Sequence, residues 1–326
     1  MSLLKIQHLH KLFGDKKAVN NISLSLEEGE ILAILGESGS GKTTLLHLIA
    51  ALHEPDSGTL LLDNQRITPP SEKLIAGHPD IKLVRQDYGL FPNMSIRENI
   101  AYELRFYEEK YRNKRIDKLL KISGLAKIQK NLPRQVSGGE QQRAVIVKAI
   151  AEQPKLLLLD EPFSHLDALN KRKLKAEILH IIKEDGVTCI FVTHDVSDAY
   201  GMADRLVVMR KGKILQIGTP QNIYQNPDNQ YVAEITGEVN SPTPSPSPKE
   251  RGARIFSFGE GWEGFLRPQQ IRISEKSDLR ATVESIKFLG VYYEVMLKID
   301  DLTLKMYSFD KVLVGEKVGI EIKSLS

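Results

Sequence analysis

The chain has 326 residues, of which 41% are hydrophobic and 27% are charged, and its formal net charge is +3. This length predicts one large domain plus a smaller one, the composition excludes wholesale disorder, and the even charge balance argues against a nucleic-acid surface. The single cysteine, Cys189, excludes an intrachain disulfide, and early N-terminal charges and short apolar runs lead us to expect a cytoplasmic protein.

The first 237 residues alternate short apolar runs with segments of helical periodicity. The runs Ile31–Leu35, Leu156–Leu159 and Val187–Val192 are apolar apart from Thr188, which is typical of parallel strands buried on both faces. The pattern predicts an α/β domain over residues 1–237.

A phosphate-binding loop is predicted at Gly36–Thr43, which fits the pattern G-x-x-x-x-G-K-[ST] between the apolar run Ile31–Leu35 and a helical run, Thr43–Leu52. Glycines let the backbone N–H groups face a phosphate at the positive end of a helix. We expect Lys42 to reach the β- and γ-phosphates and the Thr43 hydroxyl to ligate Mg²⁺. A Gly/Ser-rich turn that matches by chance is the alternative. The motif predicts a nucleoside triphosphate site.

A second helix start follows at Ser137-Gly138-Gly139, which opens a helical run to about residue 152. Ser137 is a suitable N-cap, and the glycines expose backbone N–H groups to an anion. Taken alone, the same three residues are often only a loop.

Two carboxylates, Asp160 and Glu161, end the apolar run Leu156–Leu159. Because adjacent strand residues point to opposite sides, we assign them different tasks. Asp160 suits the Mg²⁺ shell, and Glu161 suits orienting or deprotonating a water. The alternative is a solvated acidic turn after a strand.

The ordered set of motifs resembles the nucleotide-binding subunit of an ABC transporter. The resemblance covers Walker A, the Q-loop, the signature, Walker B, the D-loop and the switch histidine, at Gly36–Thr43, Gln86 with Tyr88–Pro92, Val136–Gln142, Leu156–Glu161, Ser164–Asp167 and Thr193–Asp195. Small departures from the family pattern remove no group that the chemistry needs: Arg85, Val136, Glu140 and His165.

The resemblance implies a P-loop NTPase cassette with a helical subdomain at about residues 88–152, and ATP and Mg²⁺ as cofactors. It implies catalytic roles for Glu161, His194 and Gln86, and metal ligation by Thr43, Gln86 and Asp160. Without the family match, Phe13 reads as a core residue and His194 as a structural one. The residues expected to contact ATP are Phe13, Gly36, Ser38, Gly39, Ser40, Gly41, Lys42, Thr43, Thr44, Ser137, Gly138 and Gly139.

Two other features are interpreted as structural. The basic cluster Lys110–Arg115 is typical of a solvated helix face. Cys189 lies inside an apolar strand, where a thiol behaves as a small buried residue.

The C-terminal region begins with a predicted linker at residues 238–253, where four prolines alternate with other residues from Ser241 to Pro248. Short β-like stretches then predict a small β domain at 254–326: Thr282–Phe288, Tyr292–Ile299, Leu302–Tyr307 and Val318–Ile322. With Gly264–Pro268, they resemble the OB-like accessory domain on ATPases of importers for ferric iron, polyamines, sulfate, molybdate or sugars.

The expected function is therefore the ATP-hydrolysing subunit of a membrane importer for ferric iron, a polyamine or a related small solute. The resemblance implies a head-to-tail homodimer and integral-membrane permease subunits on separate chains, with a substrate-binding protein involved indirectly and no nucleic acid. It places the chain at the inner face of the plasma membrane through the permease. The alternatives are an exporter ATPase and a soluble cassette ATPase that acts on ribosomes or DNA.

Overall fold

The computed structural model describes residues 2–85, 89–164, 168–240, 256–257, 263–300 and 302–323. The chain divides into two compact units, residues 1–220 and 221–326. This division falls before the expected domain boundary at residue 237, so the segment from 221 onward groups with the C-terminal unit. Among the described residues, no helix has the length and apolarity needed to span a bilayer.

The first unit alternates strands and helices along most of its length. Its elements are β1 (Ser2–Phe13), β2 (Lys16–Glu27), β3 (Ile31–Leu35), α1 (Lys42–Ile49), β4 (Ser57–Leu62), β5 (Gln65–Arg66), β6 (Ile81–Val84), α2 (Ile96–Glu103), α3 (Glu109–Ile122), α4 (Gly138–Ala149), β7 (Leu156–Asp160), α5 (Ala168–Asp185), β8 (Thr188–Thr193), α6 (Val196–Ala199), β9 (Arg205–Arg210) and β10 (Lys213–Gly218).

The second unit is mainly antiparallel β structure after two short helices. Its elements are α7 (Pro220–Gln225), whose first residue belongs to the first unit, α8 (Gln230–Thr236), β11 (Phe256–Ser257), β12 (Glu263–Gly264), β13 (Ile271–Ile273), β14 (Arg280–Phe288), β15 (Tyr293–Ile299), β16 (Leu302–Ser308) and β17 (Lys317–Ile322).

A six-stranded sheet in the order β10-β9-β3-β8-β7-β6 forms the centre of the first unit. Its strands are parallel except for the antiparallel pair β9–β10. Every residue of β3 and β8 is buried, which explains why β3 and the centre of β8, Cys189–Val192, are continuously apolar. The predicted α/β fold class is confirmed, and the carboxyl ends of β3, β8 and β7 meet at one edge.

A second sheet, antiparallel and in the order β2-β1-β4-β5, was not predicted. Buried residues alternate with exposed ones in the second half of β2, where Ile22, Leu24 and Leu26 face the core. This sheet shares one hydrophobic core with α1 and the central sheet. The two sheets of this unit therefore pack on opposite sides of one core that also includes the apolar face of α1.

The helices α2, α3 and α4 lie between β6 and β7, in the region predicted as a helical subdomain. The interpretation of Lys110–Arg115 as a solvated face is wrong at Arg115, which is only 5% exposed. Its guanidinium donates to both carboxylate oxygens of Asp185 at 2.5 Å and to the carbonyl of Ile150 at 2.7 Å. Arg115 lies four residues before the buried Leu119, so both lie on the inward face of α3.

The second unit has a five-stranded antiparallel sheet in the order β13-β17-β14-β15-β16, with its own hydrophobic core. Strands β14 to β17 correspond to the four predicted β-like stretches. The proline-rich part of the predicted linker, residues 241–250, lies outside the described residues.

Candidate nucleotide-binding site

The phosphate loop runs so close to its neighbours that two of its glycines have no room for a side chain. A Cβ at Gly41 would lie 2.0 Å from the carbonyl oxygen of Ala18, and Gly41 has a φ of +102°. A Cβ at Gly36 would lie 2.4 Å from the carbonyl oxygen of Met209. Glycine is therefore required for the tight turn that leads from β3 into α1.

Lys42, the first residue of α1, holds its ammonium inside this loop. The side chain is buried, and Nζ donates to the carbonyls of Gly36 at 2.7 Å and Glu37 at 3.0 Å. Burial lowers the pKa of Lys42, while the nearby carboxylates of Glu161 and Asp160 act in the opposite direction. The arrangement places a cation where a triphosphate would meet the N-terminus of α1.

Other predicted loop residues differ in their exposure. Ser38 and Gly39 are exposed, whereas Ser40 is buried and its hydroxyl has no hydrogen-bond partner among the described atoms. Thr44 is half-buried on the first turn of α1. The exposed tip of the loop can therefore contact a ligand directly, whereas the Ser40 side chain packs beneath the loop.

Two hard oxygen donors meet beside the loop. The hydroxyl of Thr43 donates to Oδ1 of Asp160 at 3.1 Å. Burial raises the pKa of Asp160, and the hydrogen bond from Thr43 opposes this shift. A desolvated carboxylate next to a hydroxyl fits Mg²⁺, which binds few protein oxygens and takes its other ligands from phosphates and water. The third predicted ligand, Gln86, lies outside the described residues.

Glu161 and His194 face each other at the ends of neighbouring strands. Oε2 of Glu161 lies 3.1 Å from Nδ1 of His194, within hydrogen-bonding distance. Glu161 has a φ of +47°, a left-handed conformation that is uncommon outside glycine, and its backbone N–H donates to the carbonyl of Val192 on β8. The sharp turn after Asp160 therefore directs Glu161 toward His194, a side chain 58% exposed.

Ser137 caps helix α4 through a reciprocal pair of hydrogen bonds with Glu140. The backbone N–H of Ser137 donates to Oε2 of Glu140 at 2.8 Å, and the backbone N–H of Glu140 donates to the Ser137 hydroxyl at 3.4 Å. A Cβ added at Gly138 or Gly139 would meet nothing within 4 Å. The first turn of α4 is therefore open on the side of its glycines.

Phe13, at the end of β1, is 48% exposed, which contradicts the alternative reading of this residue as core. The ring of His53 stands edge-on to it, with the centroids 5.8 Å apart, and Nζ of Lys11 lies 5.6 Å from the Phe13 centroid. An exposed aromatic face of this kind is available for stacking. Sequence reasoning missed His53, since no local pattern marks it.

Sequence reasoning also missed Lys171 and Asp198, which contact the chain on either side of His194. Lys171 lies on α5 and Asp198 on α6, and only the fold brings them together. The cysteine prediction is confirmed: Cys189 is fully buried in β8, and burial raises the pKa of its thiol.

Comparison with known families places two matches on the chain. The family model described as "ABC transporter" matches residues 19–164, and the TOBE domain model matches residues 265–324. These matches confirm the predicted cassette and the predicted C-terminal accessory domain.

Similar proteins cover nearly the whole chain. The spermidine/putrescine import ATP-binding protein PotA of Nitratidesulfovibrio vulgaris is 35% identical over 92% of this chain and 87% of its own length. The PotA protein of Lawsonia intracellularis is 36% identical over 91% and 87%. The sulfate/thiosulfate import ATP-binding protein CysA of Thermosynechococcus vestitus is 38% identical over 91% and 88%.

Two solved structures share the fold. One is cbiO1 of Clostridium perfringens, part of the ABC transporter complex cbiONQ, with a TM-score of 0.64, 28% identity, and coverage of 68% of this chain and 90% of that chain. The other is a dimeric ATP-binding cassette in a post-hydrolysis state with ADP and Pi, with a TM-score of 0.55, 30% identity, and coverage of 66% and 98%. With the phosphate loop and the paired Glu161 and His194 in place, this chain belongs to the ABC transporter family as one of its nucleotide-binding ATPases.

Proposed function

We propose that this protein is the ATP-hydrolysing subunit of an importer, and that the imported solute is a polyamine or a related small solute. ATP hydrolysis is supported by one observation. Lys42, the Thr43–Asp160 pair and the Glu161–His194 pair all lie at the carboxyl edge of one parallel sheet. Import is supported by the names of the relatives, which match this chain along both units.

Binding of ATP begins at the phosphate loop. The backbone N–H groups and Lys42 would surround the phosphates, and the Lys42 ammonium would exchange its carbonyl partners for phosphate oxygens. Phe13 would stack on the adenine ring. Thr43 and Asp160 would hold Mg²⁺, together with Gln86 in this proposal, and the bound ion would offset charge on the phosphates.

Glu161 is the proposed base for the attacking water. The water oxygen forms a bond to the γ-phosphorus, the bond from that phosphorus to the bridging oxygen breaks, and a proton of the water passes to the Glu161 carboxylate. The products are ADP and inorganic phosphate. His194, 3.1 Å from Glu161, orients the carboxylate and offers its ring to the γ-phosphate.

The open first turn of α4 supports a head-to-tail homodimer. Ser137, Gly138 and Gly139 would bind the γ-phosphate of an ATP held by the phosphate loop of the partner, since a helix N-terminus attracts an anion. Each dimer would then hold two ATP molecules between its copies.

An exposed aromatic cluster supports docking to permease subunits on separate chains. Phe91 packs edge-on to Tyr102 with centroids 4.7 Å apart, and both are partly exposed. Phe106 is largely exposed, and the Arg105 guanidinium lies over the rings of Tyr102 and Phe106. Clustered aromatic and Arg side chains are enriched at protein interfaces. Such docking would hold the chain at the inner face of the plasma membrane.

The test is uptake by cells that lack the gene. We expect the deletion to reduce uptake of radiolabelled spermidine and putrescine, and wild-type protein to restore it while the Glu161→Gln variant does not. If the deletion reduces the uptake of sulfate alone, the imported solute is sulfate and not a polyamine. Unchanged uptake of every solute tested, including ferric iron, would overturn the importer function.

A further inference from the structure

We propose that Lys171 is a positioning residue for hydrolysis, which holds the backbone around His194 in place and links it to helix α5. The inference rests on the proposed role of His194. Nζ of Lys171 lies 2.6 Å from Oδ2 of Asp195 and 2.7 Å from Oδ1 of Asp198. One ammonium thus bridges the residue that follows His194 and the helix that comes after it.

The residues on both sides of His194 are fixed by this cluster. The hydroxyl of Thr193 donates to Oδ2 of Asp198 at 2.8 Å and accepts from the backbone N–H of Asp195 at 3.0 Å. The backbone N–H of Ser197 donates to Oδ1 of Asp195 at 2.9 Å. The exposed ring of His194 contacts Glu161, so it is the backbone of His194 whose position depends on these neighbours.

The charge of Lys171 matters because its partner Asp198 is buried. Asp198 and Thr193 are buried. Removal of the cation that pairs with a buried carboxylate strongly destabilises the folded protein. Burial lowers the pKa of Lys171, but the hydrogen bonds to Asp195 and Asp198 outweigh it and raise the pKa, so the ammonium stays charged. Without that charge, the Asp198 carboxylate keeps the hydroxyl of Thr193 and only the more distant ammonium of Lys175, at 3.7 Å.

Lys171 also connects two parts of the site that are distant in sequence. It lies in the first turns of α5, the helix that begins directly after the segment predicted as the D-loop. A displacement of α5 would therefore move Asp195 and the backbone of His194. Small displacements of a positioned group cost large factors in rate, which is how Lys171 would act without touching ATP.

Lys175 provides a matched control on the same helix. Its Nζ donates to the carbonyl of Ser197 at 2.5 Å and lies 3.7 Å from Oδ1 of Asp198, with no hydrogen bond to Asp195 among those described. It has the same chain length and charge, one turn further along α5. Lys175→Met removes a cation of equal charge without breaking the bridge to Asp195.

The experiment measures kcat and ATP affinity of the full chain. We expect Lys171→Met to lower kcat about tenfold or more with ATP affinity within about twofold of wild type, and Lys171→Arg to restore most of the rate. Lys175→Met should stay within about twofold. Equal losses in both Met variants, no rescue by Arg, or a parallel loss of ATP affinity would overturn the proposal.

A second measurement separates Lys171 from the proposed role of His194. The imidazole signal of His194, assigned with His194→Ala in protein labelled at histidine carbons, should shift in Lys171→Met and stay in place in Lys175→Met. If His194→Ala keeps wild-type turnover, the proposed role of His194 fails and the rate argument for Lys171 fails with it. An unmoved signal in Lys171→Met would refute the positioning itself.

Discussion

Glu161 is one of the non-glycine residues with a positive φ, and it is the proposed base of the site. It directly follows the buried strand β7, has a left-handed backbone conformation and places its carboxylate beside His194. We predict that Glu161→Gln keeps ATP affinity but lowers turnover about 10²-fold to 10⁴-fold, because an amide cannot accept the proton of the attacking water. Phosphate release and equilibrium ATP binding, measured on the same preparation, check this. Turnover near the wild-type rate would remove Glu161 from its proposed role.

Lys42, in contrast to Glu161, is expected to contribute to ATP binding rather than to the chemical step. Its ammonium has three donors, of which two now bond to loop carbonyls. Since charged hydrogen bonds contribute about 1.5–3 kcal/mol each, we predict that Lys42→Ala weakens ATP affinity about tenfold or more. Titration with a fluorescent ATP analogue measures the change. An unaltered dissociation constant would show that Lys42 lies outside the phosphate site.

Asp195 gives the site a defined dependence of stability on pH. Partial burial raises the pKa of its carboxyl, but hydrogen bonds from Lys171 and Ser197 outweigh that effect and lower the pKa to about 2. A depressed acid pKa stabilises the fold above the unfolded value of about 3.9, and this contribution is lost as the pH falls toward about 2. The free energy of unfolding of Asp195→Asn should thus fall below that of wild type at pH 7, with the gap narrowing below about pH 4. Urea denaturation across that range tests this, and a gap independent of pH would contradict it.

Among the elements, strands with one continuous or regular pattern were predicted well. Complete burial on two faces marked β3 and β8 in the sequence, and alternation marked β14 to β17. The strands β1 and β2 were both missed. Register shifts interrupt the alternation of β1 against its partner, whereas the second half of β2 alternates regularly and was overlooked. When the alternation of apolar and polar residues is interrupted within a strand, the sequence shows no single periodicity that identifies the strand.

The candidate site shows what sequence reasoning leaves out. Lys42 and Thr43 follow from one local motif, whereas the Glu161–His194 contact depends on β7 and β8 being neighbours in the sheet. Arg115 was misread because the basic run was judged by charge rather than by its position on the helix. Its partner Asp185 lies at the end of α5, and no local spacing relates the two.

Arg267 organises the elements of the second unit. This buried guanidinium donates to the carbonyls of Tyr224, Ala233 and Glu238 and to the hydroxyl of Thr236. It also stacks over the Tyr224 ring at 4.0 Å. One side chain thus ties α7, α8 and the segment that follows them to the start of the β domain.

We predict that Arg267→Met lowers the free energy of unfolding of the second unit by about 2–4 kcal/mol, because buried carbonyls lose their donor. Hydrogen exchange should rise in α8, with ATP hydrolysis retained. Arg272→Met serves as control, since Arg272 is exposed in the same unit. Similar exchange in both variants would mean that Arg267 does not anchor these helices.

At the scale of the whole molecule, the division near residue 220 separates nucleotide chemistry from the C-terminal unit. Residues from Phe13 to Asp195 include every proposed site residue, and all of them belong to the first unit. The helices α7 and α8 belong to the second unit, where Ile223, Val232 and Ala233 are buried. A truncation placed within the second unit would therefore expose apolar surface that a truncation at 220 removes.

Two truncated chains test this division. We predict that residues 1–220 fold and bind ATP, because the central sheet and its core are complete within them. Residues 1–240 should also bind ATP, but their segment 221–240 should exchange its amide hydrogens rapidly, because Arg267 is missing and Ile223 and Val232 lose their packing. ATP titration and hydrogen exchange on both chains measure these outcomes, with the full chain as reference. If 1–240 binds ATP with a protected α8 while 1–220 is unfolded, the helices stabilise the cassette and the boundary lies after them.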